Sequence, residues 1–263
     1  MKIENRTFAI SGGASGLGRA CALDLVAHGA LVAIFDFDTD AGAAFAAELG
    51  RDKARFFECD VTDSKSIAAG VKGLAQWVQA TAMPLGGIIP AAGVGLPGLI
   101  IDRHRSPLDL SAITAVININ LIGTLDFIRQ LLPLLLAAPP TGPDNERGAI
   151  VSIASSAAFD GQRGQVAYAA SKGGVAALTL PLARDLAQWG VRAVAIAPSL
   201  FETGMTKNMG GKTRESLMRA MEFPKRPGKA GEFALLVRHV LENSMLNGEV
   251  IRLDGAMRMP SKL

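Results

Sequence analysis

The chain has 263 residues, 49% of them hydrophobic, which is ample material for one large α/β domain with a buried core. Its formal charge of +3 is scattered rather than gathered into a basic stripe, so nucleic acid is not expected as a partner. Apolar runs such as Leu131 to Ala138 fall short of the roughly 20 residues of a membrane-spanning helix, and Met1 to Arg6 carry no apolar signal core, so a soluble, cytoplasmic chain without a membrane partner is expected.

Strand-length apolar runs alternate with helical patterns along most of the sequence. Strands are predicted at Thr7–Ser11, Leu31–Asp36, Ala54–Cys59, Gly87–Ala91, Ala149–Ile153 and Arg192–Ala197, with a short last one at Val250–Leu253. Parallel strands covered on both faces read as continuously apolar, as these do. The expectation is an α/β chain with a Rossmann-like, doubly wound parallel sheet of about seven strands and helices on both faces. Gly29, Gly50 and Gly190 fall where helices end. Pro139 to Asn145 reads as a surface loop, and 199–229, rich in Gly, Pro and charge, reads as a substrate lid within a single domain spanning 1–263. Cys21 and Cys59 fall in a helix and at a strand end, the pattern of reduced buried thiols rather than of a disulfide or a metal site.

The first strand runs into Ser11-Gly12-Gly13-Ala14-Ser15-Gly16-Leu17-Gly18 and then a helix. Gly12, Gly16 and Gly18 let a pyrophosphate approach the backbone and the helix N-terminus; the alternative is that they only allow tight helix–strand packing. Asp36 closes the second strand 18 residues after Gly18, where a carboxylate binds adenine ribose hydroxyls and repels a 2′-phosphate. Neither Phe37 nor Asp38 supplies a cation there, so NAD is favoured over NADP; otherwise Asp36 is a turn residue. Asp60 and Val61 follow the third strand and would border the adenine, although Asp60 also fits a helix N-cap.

Tyr168 and Lys172 stand four apart on one helical face, with Ser155 thirteen residues before Tyr168. An ammonium beside a phenol favours the phenolate, which suits proton exchange with a substrate hydroxyl, and Ser155 can steady the substrate oxygen. With the glycine loop, this segment from Ser155 to Lys172 resembles the short-chain dehydrogenase/reductase family. The resemblance implies a nicotinamide cofactor contacted by Ser15, Leu17, Ala91, Gly93, Tyr168, Lys172, Phe201 and Thr203 as well as the residues above. It also implies a fourth catalytic member, Asn120 in Asn120-Leu121-Ile122-Gly123, as a water holder in a proton relay; the alternative is a side chain bonding a helix carbonyl. Two departures stand out: Pro90-Ala91-Ala92-Gly93 where the family has N-N-A-G, and Pro198-Ser199 where it has P-G. Pro90 removes an amide donor from the nicotinamide side.

Ser155 to Gln162, Leu180 to Ala187 and Asn247 to Ala256 are similar to the branch of that family made up of type 2 3-hydroxyacyl-CoA dehydrogenases. This implies a homotetramer in fatty acid metabolism that oxidises L-3-hydroxyacyl-CoA to 3-oxoacyl-CoA with NAD. A steroid or other secondary alcohol is the alternative substrate, and a non-catalytic NAD-binding module the alternative role. Gln162 is a candidate substrate contact or a turn cap. Arg103 and Arg105 are candidates for coenzyme A phosphates, or else belong to a solvated loop.

Overall fold

The computed structural model describes residues 1–207 and 211–260; part of the predicted lid, 208–210, lies outside them. Seven parallel strands form one sheet in the order β3-β2-β1-β4-β5-β6-β7. They are β1 (Thr7–Ser11), β2 (Leu31–Asp36), β3 (Ala54–Glu58), β4 (Leu85–Pro90), β5 (Gly148–Ile153), β6 (Val191–Pro198) and β7 (Val250–Leu253). The central strands are buried throughout, which explains their unbroken apolar character.

Alternate strand residues feed two cores. On one face Phe8, Ile10, Val32, Ile34, Val151 and Ile196 pack against α1 (Gly16–Ala27), α2 (Thr39–Leu49) and α9 (Ala230–Glu242). On the other, Ala9, Ala33, Phe35, Ile88 and Ile150 meet α3 (Ser64–Thr81), α5 (Gly123–Leu136) and the far end of α6 (Val166–Leu186). Phe35 anchors this second core, stacked on Phe57 and edge-on to Phe127, each with ring centroids 5.1 Å apart.

β4 begins two residues before the predicted start and ends at Pro90 instead of Ala91. Gly86 and Gly87 look like poor strand residues, yet the sheet needs them: a Cβ on Gly87 would lie 2.9 Å from the Phe8 ring. The other strand ends differ from the prediction by one residue at most.

The helix preceding β5 also departs from expectation. α4 (Leu110–Ile117) continues through a π turn at Asn118–Ile122 into α5, giving 27 residues long and apolar enough by composition to cross a membrane. The run Leu131 to Ala138 understated it because polar Asn118, Asn120 and Thr124 break the apolar string in sequence but not the helix. Phe127, Ile128, Leu131 and Leu135 account for its inner face, packed in the core, while Leu110, Ile122 and Leu125 are exposed.

At the opposite end of the sheet from the crevice, Arg192 of β6 is buried beside Glu146, with Nε donating to Oε1 at 2.8 Å. The same guanidinium donates to the carbonyls of Val240, Leu241 and Leu246, satisfying the end of α9 and the loop beyond it.

Chain order places the functional region. From β1 the sheet grows one way to β2 and β3 and the other way from β4, so the connections at the carboxyl ends of β1 and β4 part and open a crevice.

Candidate active site

The crevice has a volume of about 520 Å³, ordinary for a small-molecule site. Gly12, Ser15, Gly16 and Leu17 line one part of it, Asp36, Asp60 and Val61 the next, then Ala91, Gly93, Ser155, Tyr168, Lys172, Phe201 and Thr203. Gly18, Asn120, Gln162, Arg103 and Arg105 are the predicted site residues that do not line it.

The glycines have separable causes. Gly12 (φ +62°) sits so close to the next strand's exit that a Cβ would lie 2.7 Å from the Ala92 nitrogen. Gly18 is needed for packing, since its Cβ would come within 2.3 Å of the Gly12 carbonyl oxygen. Gly16 (φ +53°) faces the crevice instead, with Thr203 as nearest neighbour at 3.7 Å. α1 starts there, and its N-cap residue Ser15 makes no side-chain cap bond. First-turn amides at such a helix start, with the dipole behind them, suit an anion.

Asp36 is buried and its carboxylate is held: Oδ2 accepts from Ala14 N at 3.0 Å and Oδ1 from Asp38 N at 3.2 Å. Phe37, Cys59, Asp60, Val61 and Thr62 also line that end, and Lys172 is the one Lys or Arg lining the crevice among the described residues. Asp60 is exposed, its Oδ1 accepting from both the amide and the hydroxyl of Thr62. Burial, with Asp60 and Asp36 nearby, pushes the Cys59 thiol up to about 12, so it stays protonated and is no nucleophile.

Pro90 has a local substitute for part of what it removes. Ala91 N donates to the Ser11 carbonyl at 3.0 Å and Ala92 N to Ser11 Oγ at 3.3 Å, tying the exit of β4 to β1. On the other side, the pairing of β4 with β5 stops at Ile88↔Ile150, before the proline.

Asn120, fully buried in the π turn, clamps the loop that leaves β4: its Oδ1 accepts from Val94 N at 2.8 Å and its Nδ2 donates to Val94 O at 2.9 Å. Nδ2 also reaches Ser171 Oγ at 3.1 Å, and Ser171 in turn donates to the Tyr168 carbonyl at 2.7 Å. The Asn120 carbonyl accepts from Thr124 Oγ1 at 2.9 Å. Ser171, absent from the predicted set, thus links the π turn to the helix that carries Tyr168. Its place one turn after Tyr168 was the available signal.

Tyr168 and Lys172 lie one turn apart on α6 and both line the crevice. Lys172 is buried, and its Nζ donates to the Ile153 carbonyl at 2.7 Å. Ser155 caps a short 3₁₀ turn after β5, its Oγ accepting from Ala157 N at 3.1 Å, and it lines the crevice together with Tyr168. Burial pushes the Lys172 ammonium down to about 8. Burial raises the Tyr168 phenol, and the nearby Ser155 hydroxyl pulls it back only in part. The sequence expectation of a phenol lowered by its neighbouring ammonium therefore does not describe the site, where desolvation of the phenolate is the larger effect.

Gln162 is buried away from the crevice, donating through Nε2 to the Pro260 carbonyl at 3.2 Å. Arg103 and Arg105 stand on an exposed hairpin closed by the Ile101↔Pro107 bridge, with Asp102 Oδ1 accepting from the amides of His104 and Ser106.

Comparison with known proteins agrees with this geometry. Residues 6–214 match the family model of the short chain dehydrogenases. The 3-hydroxyacyl-CoA dehydrogenase type-2 of Drosophila melanogaster is 42% identical over 258 residues, covering 98% of this chain and 99% of that protein. The Homo sapiens protein of the same name is 40% identical, covering 95% and 94%. The crystal structure of 3-hydroxyacyl-CoA dehydrogenase type-2 from Mycobacterium avium superposes with a TM-score of 0.91 at 38% identity, over 98% of each chain. The chain belongs to the short-chain dehydrogenase/reductase family, and is one of its oxidoreductases.

Proposed function

We propose that this enzyme oxidises an L-3-hydroxyacyl-CoA to its 3-oxoacyl form with NAD as acceptor. The observation that carries the chemistry is that Tyr168, Ser155 and Lys172 open onto the same crevice as the glycine loop. The relatives named for that activity support the substrate class, and the fixed carboxylate of Asp36 supports NAD over NADP. Gly12, Ser15, Gly16, Leu17, Asp36, Asp60, Val61, Ala91, Gly93, Phe201 and Thr203 would hold the dinucleotide, which supplies the hydride acceptor.

Tyr168 Oη takes the substrate hydroxyl proton as the alcohol becomes a ketone, and returns it in reduction. Ser155 Oγ donates to the substrate oxygen and holds the reacting carbon in place. Lys172 supplies a buried positive charge one turn from the phenol, and Asn120 fixes the loop beside it through Val94. Oxidation needs the phenolate, so its rate rises with pH as Tyr168 ionises, while reduction falls.

The exposed apolar residues Leu110, Ile122, Leu125, Val166 and Leu180 on α4 to α6 support self-association into a homotetramer. Arg103 and Arg105 would meet the coenzyme A phosphates. Free, buried Cys21 and Cys59 suit the reducing cytoplasm.

The test is a steady-state screen over 3-hydroxyacyl-CoA chain lengths with NAD and NADP in parallel. Tyr168→Phe should lower kcat by about 10²-fold or more while NAD binding, followed by fluorescence, is retained; unchanged turnover would remove Tyr168 from the reaction. Asp36→Asn should narrow the preference for NAD over NADP. An enzyme that already prefers NADP refutes the assignment of Asp36.

A further inference from the structure

The turn after β7 bonds to both segments that border the substrate side. Arg252, the third residue of β7, pairs with Asp160 of the loop between β5 and α6 and with Asp254 Oδ2 at 2.6 Å. Its guanidinium also donates to the Met257 carbonyl at 3.2 Å and lies 5.3 Å from the centre of the Phe159 ring. The Arg252 hydrogen bond holds the Asp160 carboxyl below the usual carboxylate range. Asp160 stands five residues after Ser155 in the same loop, and Gln162, two further on, is tied to Pro260.

The same turn reaches the lid on its other side. α7 (Gly204–Lys207) and α8 (Gly211–Arg219) are the helices within the described part of the lid. Met257 is buried among Leu200, Leu217 and Met221, and its Sδ accepts from Ser199 Oγ at 2.8 Å. Ser199 lines the crevice, and its amide donates to the Leu253 carbonyl at 3.2 Å. Phe223 N donates to the Gly255 carbonyl at 3.3 Å.

Magnitudes favour a role in placement over one in stability. The side chains of Arg252 and Asp160 are 21% and 20% exposed, and ion pairs open to solvent contribute about 0–1 kcal/mol. A displacement of about 1 Å at a reacting group, by contrast, costs on the order of 10²-fold in rate. Ser155 sits just beyond β5 in a loop whose position must be set by contacts of this kind.

We propose that the turn Asp254 to Pro260, gathered by Arg252, is a strut that sets Ser155 in register with the lid, and that Arg252 and Asp160 are positioning residues for the oxidoreductase reaction. Neither lines the crevice; they act through the loop that carries Ser155. The proposal rests on the reading of Ser155 and Tyr168 as the reacting pair.

The experiment compares Arg252→Met, Arg252→Lys, Asp160→Asn and the swapped double variant Arg252→Asp/Asp160→Arg with the parent. Thermal unfolding, NAD affinity and the separate kcat and KM for 3-hydroxyacyl-CoA are measured for each. Arg252→Met and the near-isosteric Asp160→Asn should lose about 10- to 10²-fold in kcat with NAD affinity retained. Arg252→Lys should recover little, since an ammonium lacks the fork that spans several acceptors, and the swap should recover part of the loss. Hydrogen exchange gives a reading free of substrate: the amides of Ala157, Ala158 and Phe159 should exchange faster together with those of α8, and α1 should not change. Full kcat in both Arg252→Met and Asp160→Asn, or faster exchange spread evenly over the chain, overturns the proposal. If the parent turns over no 3-hydroxyacyl-CoA, the functional reading fails, and the exchange pattern still decides the strut.

Discussion

Lys172 is a buried ammonium whose hydrogen-bond partner is a neutral carbonyl rather than a carboxylate. Burial lowers it from the usual lysine value of 10.5 to about 8, so the fold disfavours the charged form. That penalty is present in full below pH ~8 and fades as pH rises toward ~10.4, where the unfolded lysine also loses its proton. Lys172→Met should therefore be more stable than the parent at pH 7, by an amount on the order of 3 kcal/mol less the lost hydrogen bond. The gap should close by pH 10; denaturant curves at the two pH values check it, and a variant less stable at both refutes it. Residues of this kind were legible in the sequence because their spacing is local: Tyr168 and Lys172 share a helical turn, and Ser155 closely follows the preceding strand. Their electrostatic balance was not, since desolvation depends on what the rest of the chain packs around them.

At the scale of elements, the glycine positions separate close approach from mere flexibility. A Cβ on Gly18 meets the backbone oxygen of Gly12, so Gly18→Ala must push α1 away from the loop at its own start. It should cost about 1–3 kcal/mol and weaken dinucleotide binding. Gly173, inside α6 with nothing near its absent Cβ, offers the opposite case. Gly173→Ala should stabilise by about 0.4–1 kcal/mol, and paired urea titrations of the two variants decide both. Periodicity located all seven strands, because a strand covered on two faces leaves an apolar string that little else imitates. It fell short where a long-range neighbour dictates the residue: β4 starts two residues before the predicted Gly87, and Gly86 is a strand residue because the Arg6 side chain crowds it. It failed again at the π turn, whose polar residues interrupt an apolar pattern without interrupting the helix.

Across the whole molecule, Arg192 and Glu146 join parts of the chain that no local pattern relates. A basic residue in an apolar strand reads as an edge position, yet Arg192 is buried and gathers the carbonyls of Val240, Leu241 and Leu246. Glu146→Gln leaves the guanidinium buried without its countercharge and should destabilise by about 3–5 kcal/mol, measured by urea unfolding with activity of the folded fraction unchanged. A loss below 1 kcal/mol would mean that the helix carbonyls alone satisfy Arg192.

Thr203 leads into the lid and leans on Gly16 at the start of α1. The segment that walls the substrate side therefore also roofs the groove beside the glycine loop. A molecule lying in that groove would touch the same stretch of chain that borders the neighbouring part of the crevice, so a shift in one part alters the surroundings of the other.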